Sequence, residues 1–218
     1  VIDQFILSSD NATYSGFWNL SYNGITRCNK LLSEIDRPTT VWSKLSLRDR
    51  SRGEALFLRA LYYFNLVRQF GGVPLVLEPV TSQAAVDIKR SKDTQVYDRI
   101  ILDLKEAAAA FAKAKDVEEN GRANENSAMA LLGKVYLTIG NHAEAEKALS
   151  TVMSSGKYTL LPEYADVFNP AKKDFKETIF AIQYSENSPE LANNFIFTFA
   201  PYTSAGAVTG RPNINIIS

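Results

Sequence analysis

The chain has 218 residues, with 24 Lys or Arg against 24 Asp or Glu, 45% hydrophobic and 11% aromatic. That length holds a core able to bury roughly 70% of the unfolded surface, and the composition excludes a disordered chain, a collagen-like repeat and a disulfide-stapled miniprotein. A net charge of zero argues against non-specific nucleic-acid binding, which needs a basic face to neutralise phosphates. Cys28 is the single cysteine and cannot form an internal disulfide. No apolar run approaches the roughly 20 residues that span a bilayer. The start, Val1-Ile2-Asp3-Gln4, does not have the pattern of a signal peptide. It reads as a mature or trimmed start, or as that of a cytoplasmic protein.

Residues 16–36 read as an amphipathic helix, with Trp18, Tyr22, Ile25, Cys28, Leu32 and Ile35 recurring at steps of three and four. Ser15 or Ser21 would cap it and Pro38 would end it. Residues 44–70 read as a longer helix with a broad apolar face, Leu56, Phe57, Ala60, Leu61, Tyr63, Phe64 and Val67, which implies burial on several sides. Gly71-Gly72 stops that helix and Pro74 prevents a restart. Residues 73–80, broken by Pro74 and Pro79, read as an extended connector that packs down and forms no sheet strand. Residues 81–93 are a polar loop.

A third helix is expected over 94–115, with Val96, Ile100, Leu104, Ala107, Ala108 and Phe111 as its apolar face. Residues 116–126 are acidic and amide-rich and read as a loop. Two further helices follow at 127–139 and 142–154. After Gly156 the pattern changes to a Pro-broken stretch over 157–170. Residues 177–184 alternate as a short strand would. From 185 to 218 the chain has no helical period and is rich in Asn, Ser, Thr, Gly and Pro, so it reads as a piece of something longer.

The helices at 127–139 and 142–154 carry a hairpin signature. Met129-x2-Leu132-Gly133-x2-Tyr136 followed by Ala145-x3-Leu149 follows the tetratricopeptide pattern. Gly133 and Ala145 would let two antiparallel backbones approach, with Tyr136 and Leu149 filling the seam. A weaker copy lies upstream, Phe57-x2-Ala60-Leu61-x2-Phe64 and then Ala107-x3-Phe111. Two stacked hairpins bury a core that neither buries alone. The expected fold class is mainly all-α: tetratricopeptide-like helical hairpins with irregular loops and a short strand toward the C-terminus.

The run from Arg52-Gly53-Glu54-Ala55 through Arg59-Ala60-Leu61-Tyr62-Tyr63-Phe64 to Gln69-Phe70-Gly71-Gly72-Val73-Pro74-Leu75 resembles the hallmark of the SusD/RagB family. Supporting pieces stand in the family's order. Trp18-x3-Tyr22-x2-Ile25-x3-Asn29 precedes it, and Val96-Tyr97-x2-Ile100-x2-Asp103-Leu104 follows. Then come Gly121-Arg122, Tyr136-Leu137, Ser155-Gly156-x-Tyr158-x-Leu160 and Glu177-x-Ile179-Phe180. The resemblance covers about residues 18–180. It implies a lipid-anchored protein on the outer membrane of Bacteroidetes, acting in polysaccharide utilisation. Such a protein sits as a lid on a SusC-like TonB-dependent transporter and binds a nutrient, usually an oligosaccharide and in some members a peptide, without covalent chemistry or a cofactor. It also implies a helical domain over 1–182 and, over 183–218, the incomplete start of a loop-rich ligand-binding region. The lipobox cysteine that carries the family's anchor is absent from this chain.

A sugar needs an aromatic face against its C–H face and amide or charged groups for its hydroxyls. Asp10, Asn11, Tyr14 and Trp18 have that composition, as do Asn193, Asn194, Tyr202 and Arg211, with Trp42 as a third possibility. The ligand-binding candidates are therefore Asn11, Tyr14, Trp18, Trp42 and Tyr202. Asn11 and Tyr14 are placed ahead of the first helix. Trp18 also fits the apolar helical face as a core residue, and Trp42 could equally staple its loop. Glu54 and Arg59 sit on a broad apolar helix, where ionised groups pair; a contact with the transporter is the functional alternative. His142 is the one histidine, at a helix start, which leaves no multi-histidine metal site or Ser-His-Asp triad with a second histidine in reserve. No Gly-rich phosphate loop is present. Asp and Glu are plentiful, yet nothing in the spacing sets two of them across a pocket for glycoside cleavage. Residues 116–126 lack EF-hand spacing and read as a solvated loop. No catalytic or metal residue is assigned. The rival functions are a tetratricopeptide-type scaffold that binds protein and no glycan, and a glycoside hydrolase on an all-α frame.

Overall fold

The structure is a computed structural model and describes residues 11–81, 84, 87–114, 121–168 and 176–184. Five α-helices occur in these segments: α1 (Ala12–Ile35), α2 (Leu45–Phe70), α3 (Asp93–Lys113), α4 (Glu125–Thr138) and α5 (His142–Ser154), followed by a 3-10 turn, Tyr164–Phe168. Each α-helix packs on the next in chain order, as the stacked-hairpin pattern requires. The chain forms one compact unit over Val1–Phe180; a second begins at Ala181, where the described residues are 181–184 and Ile182 and Tyr184 are exposed.

Helix α1 starts four residues before its expected position. Asn11 is its N-cap, accepting from the Thr13 N–H at 3.0 Å. Ser15 and Ser21 bond back along the helix instead, Ser21 Oγ donating to the Phe17 carbonyl at 2.8 Å. Helix α4 likewise begins at Glu125, because Asn124 accepts from the Ser127 N–H at 3.0 Å and Ser127 returns a bond to the Asn124 N–H.

Helices α1 and α2 are antiparallel, and three contacts give the register. Trp18 meets Phe70, Gly24 faces Tyr62, and Asp36 pairs with Arg52. Helices α2 and α3 are antiparallel too: Gly53 faces Phe111, and Arg59 reaches Asp103. The core runs through this stack, with Ile25, Ala60, Tyr63, Leu66, Ile100, Leu104 and Ala107 fully buried. The α4–α5 seam is built as expected: Gly133 and Ala145 are buried, and an added Cβ at Gly133 would stand 2.6 Å from Leu149 Cγ.

Residues 73–78 form a strap across the groove between α1 and α2. Val73 and Val76 are buried, and Pro74 makes an isolated antiparallel bridge with Arg90. An extended connector without a sheet is what Pro74 within it and Pro79 just after it dictate.

The short strand expected over 177–184 is not formed; no strand occurs among the described residues. The segment is tied down at single points. The Thr159 N–H donates to the Lys176 carbonyl at 3.1 Å, and the Leu161 N–H to Glu177 Oε2 at 2.9 Å. Phe180 meets the Phe57 ring edge-on at 4.9 Å. Alternation predicts a strand only where a neighbouring strand completes the ladder.

Candidate functional site: an aromatic cluster and the strap beside it

The first turns of α1 place Tyr14, Phe17 and Trp18 on one helical face, since positions three and four apart are neighbours. The antiparallel register brings the last residue of α2, Phe70, against them. Its ring lies 6.5 Å from Tyr14 at 80°, 6.4 Å from Phe17 and 5.1 Å from Trp18 at 85°. Trp18 in turn lies 4.9 Å from Tyr22. Tyr14, Phe17, Trp18 and Phe70 are all half-buried, and Phe17, Trp18 and Phe70 pack against the core.

Arg90 closes the α2 end of this cluster. It donates from Nη2 to the Phe70 carbonyl at 2.6 Å and from Nε to the Gly72 carbonyl at 2.5 Å. A guanidinium at a helix C-terminus satisfies orphan carbonyls and complements the helix dipole. Gly72 is required here: an added Cβ would stand 2.2 Å from the Ser91 carbonyl oxygen.

The strap is held by its backbone. Tyr22 Oη donates to the Pro74 carbonyl at 2.8 Å. Tyr63 Oη accepts from the Val76 N–H at 2.7 Å and donates to the Val76 carbonyl at 2.9 Å. Asn29 Nδ2 donates to the carbonyls of Val76 at 2.8 Å and Glu78 at 3.4 Å. Arg59 Nη1 donates to Asn29 Oδ1 at 2.8 Å and to the Leu77 carbonyl at 3.3 Å. Asp103 takes the other edge of the same guanidinium. Burial pushes the Tyr22 phenol well above its usual range, with Tyr63 adding to the rise, and pushes the Tyr63 phenol up to about 12. Both therefore remain donors at neutral pH.

Of the sequence-level candidates, the structure brings together Tyr14 and Trp18, with Asn11 beside them as the helix cap. Tyr14 lies in the first turn of α1 and does not precede it, whereas Asn11 does stand ahead of the helix, as its N-cap. Trp42 lies past the other end of α1; the helix from Trp18 to Ile35 rises about 26 Å. Its Nε1 is buried without an acceptor among the described residues. Asp10, Tyr202, Asn193, Asn194 and Arg211 lie outside the described residues. Glu54 and Arg59 are paired, Glu54 with Arg50 at 3.1 Å and with Arg122 Nε at 2.7 Å. His142 is exposed at the first position of α5, while Asn141 caps that helix. Among the described residues no group of three or more His, Cys, Asp or Glu could hold a metal ion, and no helix is long and apolar enough to cross a membrane.

Phe70 and Arg90 were not among the candidates. Phe70 carried a signal, a large aromatic immediately before a Gly-Gly helix stop; Arg90 carried none, because only the Pro74 bridge brings it there.

Chemically, the cluster offers stacking faces and hydrogen-bond donors. A concavity of about 240 Å³ opens elsewhere, between α3, α4 and α5 beside Lys105, Met129, Tyr136 and Lys147. It presents no comparable aromatic face, because Tyr136 is only 5% exposed.

Stacked antiparallel helix pairs with an aromatic cluster at one end define a tetratricopeptide-like helical scaffold. Comparison with known proteins gives it a family: the model described as "starch-binding associating with outer membrane" matches residues 3–137, and the chain belongs to the SusD-like family. SusD-like protein P25 of Formosa agariphila is 24% identical over 181 residues, covering 83% of this chain and 34% of that protein. A crystal structure of a SusD-like carbohydrate binding protein from Bacteroides fragilis superposes with a TM-score of 0.74 at 31% identity, over 83% of this chain and 35% of that one. A laminarin binding SusD-like protein superposes with a TM-score of 0.66 at 34% identity, over 75% of this chain and 36% of that one. The chain spans about a third of the length of the curated relatives it matches.

Proposed function

We propose that this chain is the helical part of an outer-membrane glycan-binding protein. It captures an oligosaccharide by stacking and hydrogen bonding, cuts no bond, and delivers the sugar to a SusC-like TonB-dependent transporter beside which a lipid anchor holds the full-length protein. The observation that carries the reading is the half-buried set of rings of Tyr14, Trp18 and Phe70 on a SusD-like frame. Aromatic faces of this kind match the apolar face of a pyranose, and neighbouring polar groups match its hydroxyls. In this reading Tyr14 and Trp18 touch the sugar, Asn11 fixes the helix turn that presents them, Trp42 is a separate contact at the far end of α1, and Tyr202 belongs to the loop-rich region over 183–218.

Affinity electrophoresis and calorimetry against laminarin, starch and a panel of other glycans test it, with the 218-residue chain and the full-length protein side by side. Trp18→Ala is expected to weaken binding by about tenfold or more, the scale of losing one stacked aromatic. Unchanged affinity in Trp18→Ala overturns the site. A full-length protein that binds only peptides, or copurifies with no TonB-dependent channel, overturns the function.

A further inference from the structure

The strap and the aromatic cluster share a residue. Tyr22 supports Trp18 with its ring, at 4.9 Å, and holds Pro74 with its hydroxyl, at 2.8 Å. Another ring of the cluster, Phe70, is joined to the strap covalently through Gly71-Gly72. We propose that the strap over residues 73–78 sets the orientation of the Trp18 ring through Tyr22, which makes Tyr22 and Asn29 positioning residues for the platform. The consequence for glycan affinity rests on the reading of the Trp18 cluster given above; the coupling itself does not.

Geometry argues for transmission along the strap. It runs alongside α1, with Pro74 held from position 22 and Val76 and Glu78 held from position 29. Seven helical residues rise about 10 Å, and four extended residues span about 13 Å, so the anchors at Pro74 and Glu78 match the spacing of positions 22 and 29 to within about 3 Å. All of these bonds end on its main chain, so its path depends on the residues below it. Removing the Asn29 amide leaves Val76 on Tyr63 and Leu77 on Arg59, so the strap loosens at its Glu78 end and shifts without leaving, and Pro74 moves relative to the Tyr22 hydroxyl. That hydroxyl is half-buried and must follow its acceptor or find another, which turns the ring on which Trp18 rests.

The test uses the 218-residue chain carrying Trp42→Phe, which leaves Trp18 as its one tryptophan, since the chain has two. Asn29→Asp keeps an acceptor for Arg59 and removes the amide donor from Val76 and Glu78. Tyr22→Phe removes only the bond to Pro74. Asn29→Asp is expected to speed hydrogen exchange at the Val76 amide by about tenfold. Both variants are expected to raise quenching of Trp18 by acrylamide while keeping a cooperative thermal transition. Laminarihexaose affinity should fall by about threefold to tenfold in both, the scale of one lost hydrogen bond. Faster Val76 exchange with unchanged Trp18 quenching overturns the coupling, and so does unchanged quenching in Tyr22→Phe, which decides the matter alone if Asn29→Asp does not fold. If Trp18→Ala leaves laminarihexaose binding unchanged, the platform reading fails while the quenching result still judges the coupling.

Discussion

Arg59 and Asp103 meet edge to edge in the interior, Nε donating to Oδ2 at 2.8 Å and Nη2 to Oδ1 at 2.7 Å. The two residues are 4% and 0% exposed. Arg99, one turn before Asp103, also donates to Oδ1, from Nε at 2.8 Å. The third edge of Arg59 serves Asn29 and the Leu77 carbonyl. Burial works against the Arg59 charge, and the bonds and charge of Asp103 outweigh it and raise the pKa of the guanidinium. A single carboxylate thus pairs with two guanidinium groups and fixes the strap at second hand.

Removing that carboxylate is expected to be severe. Asp103→Ala leaves the Arg59 charge buried without its counter-ion, which costs about 3–5 kcal/mol. Urea unfolding would show it as a lower midpoint at similar slope. Arg59→Met with Asp103→Leu should recover much of the loss, because a buried ion pair is often matched by apolar residues of similar volume. Recovery stays incomplete, since Asn29 Oδ1 and the Leu77 carbonyl still lack their donor. A double variant no more stable than Asp103→Ala would contradict this account.

Those two charges also show what was legible in the sequence. An ionised residue on each of two apolar helical faces requires a partner, and pairing was foreseen for Arg59. The partner was not, because nothing local distinguishes Asp103 from the chain's other carboxylates; the antiparallel register of α2 and α3 selects it. The helices were readable because their apolar residues recur at helical spacing, and the α4–α5 seam because Gly133 and Ala145 sit where backbones must approach. The start of α1 was misplaced because Thr13 and Ser15 are weak helix formers that hide the capping signal of Asn11. The segment 177–184 was misread because alternation is local, whereas a ladder needs a second strand. In the candidate site, Tyr14 and Trp18 were readable as aromatics near amides. Phe70 arrives from 52 positions away in the chain, on a different helix.

Gly133 is expected to resist enlargement. Its missing Cβ would stand 2.6 Å from both Cγ and Cδ2 of Leu149, closer than any relaxed contact. Gly133→Ala gains up to about 1 kcal/mol of helix propensity and loses about 1–3 kcal/mol to overpacking, so the net change should be destabilising. Leu149→Ala alone opens a gap, and combining the two should be better than the sum of the single changes because the new methyl occupies part of that gap. A double-mutant cycle by chemical denaturation measures this coupling. Strict additivity would mean that the α4–α5 backbones are not held by the glycine contact.

Alkaline pH should weaken the fold through groups that are buried with their protons. Burial is the main cause in each case. It lifts the Cys28 thiol from 9.0 to about 11, with Arg59 opposing and Asp103 adding to the rise. It lifts the Tyr63 phenol from 10.0 to about 12, against the opposing bond to Val76 and the charge of Arg59. Below about pH 9 folded and unfolded chains both keep these protons, and the stability they contribute is fully present. From about 9 to 12 the unfolded chain releases protons that the folded chain retains. The unfolded state then binds fewer protons, so the free energy of unfolding falls as pH rises, by at most about 1.4 kcal/mol per unit for each group. Urea titrations at about pH 8, 9.5 and 10.5, each referred to the same variant's stability at the lowest pH, separate the contributions. Cys28→Ala should lose about 1–2 kcal/mol less than the parent over this range, and its loss should begin nearer pH 10, where the tyrosines take over. Superimposable curves for parent and Cys28→Ala would show that the thiol titrates alike in both states and is not held protonated by the packing between α1 and α2.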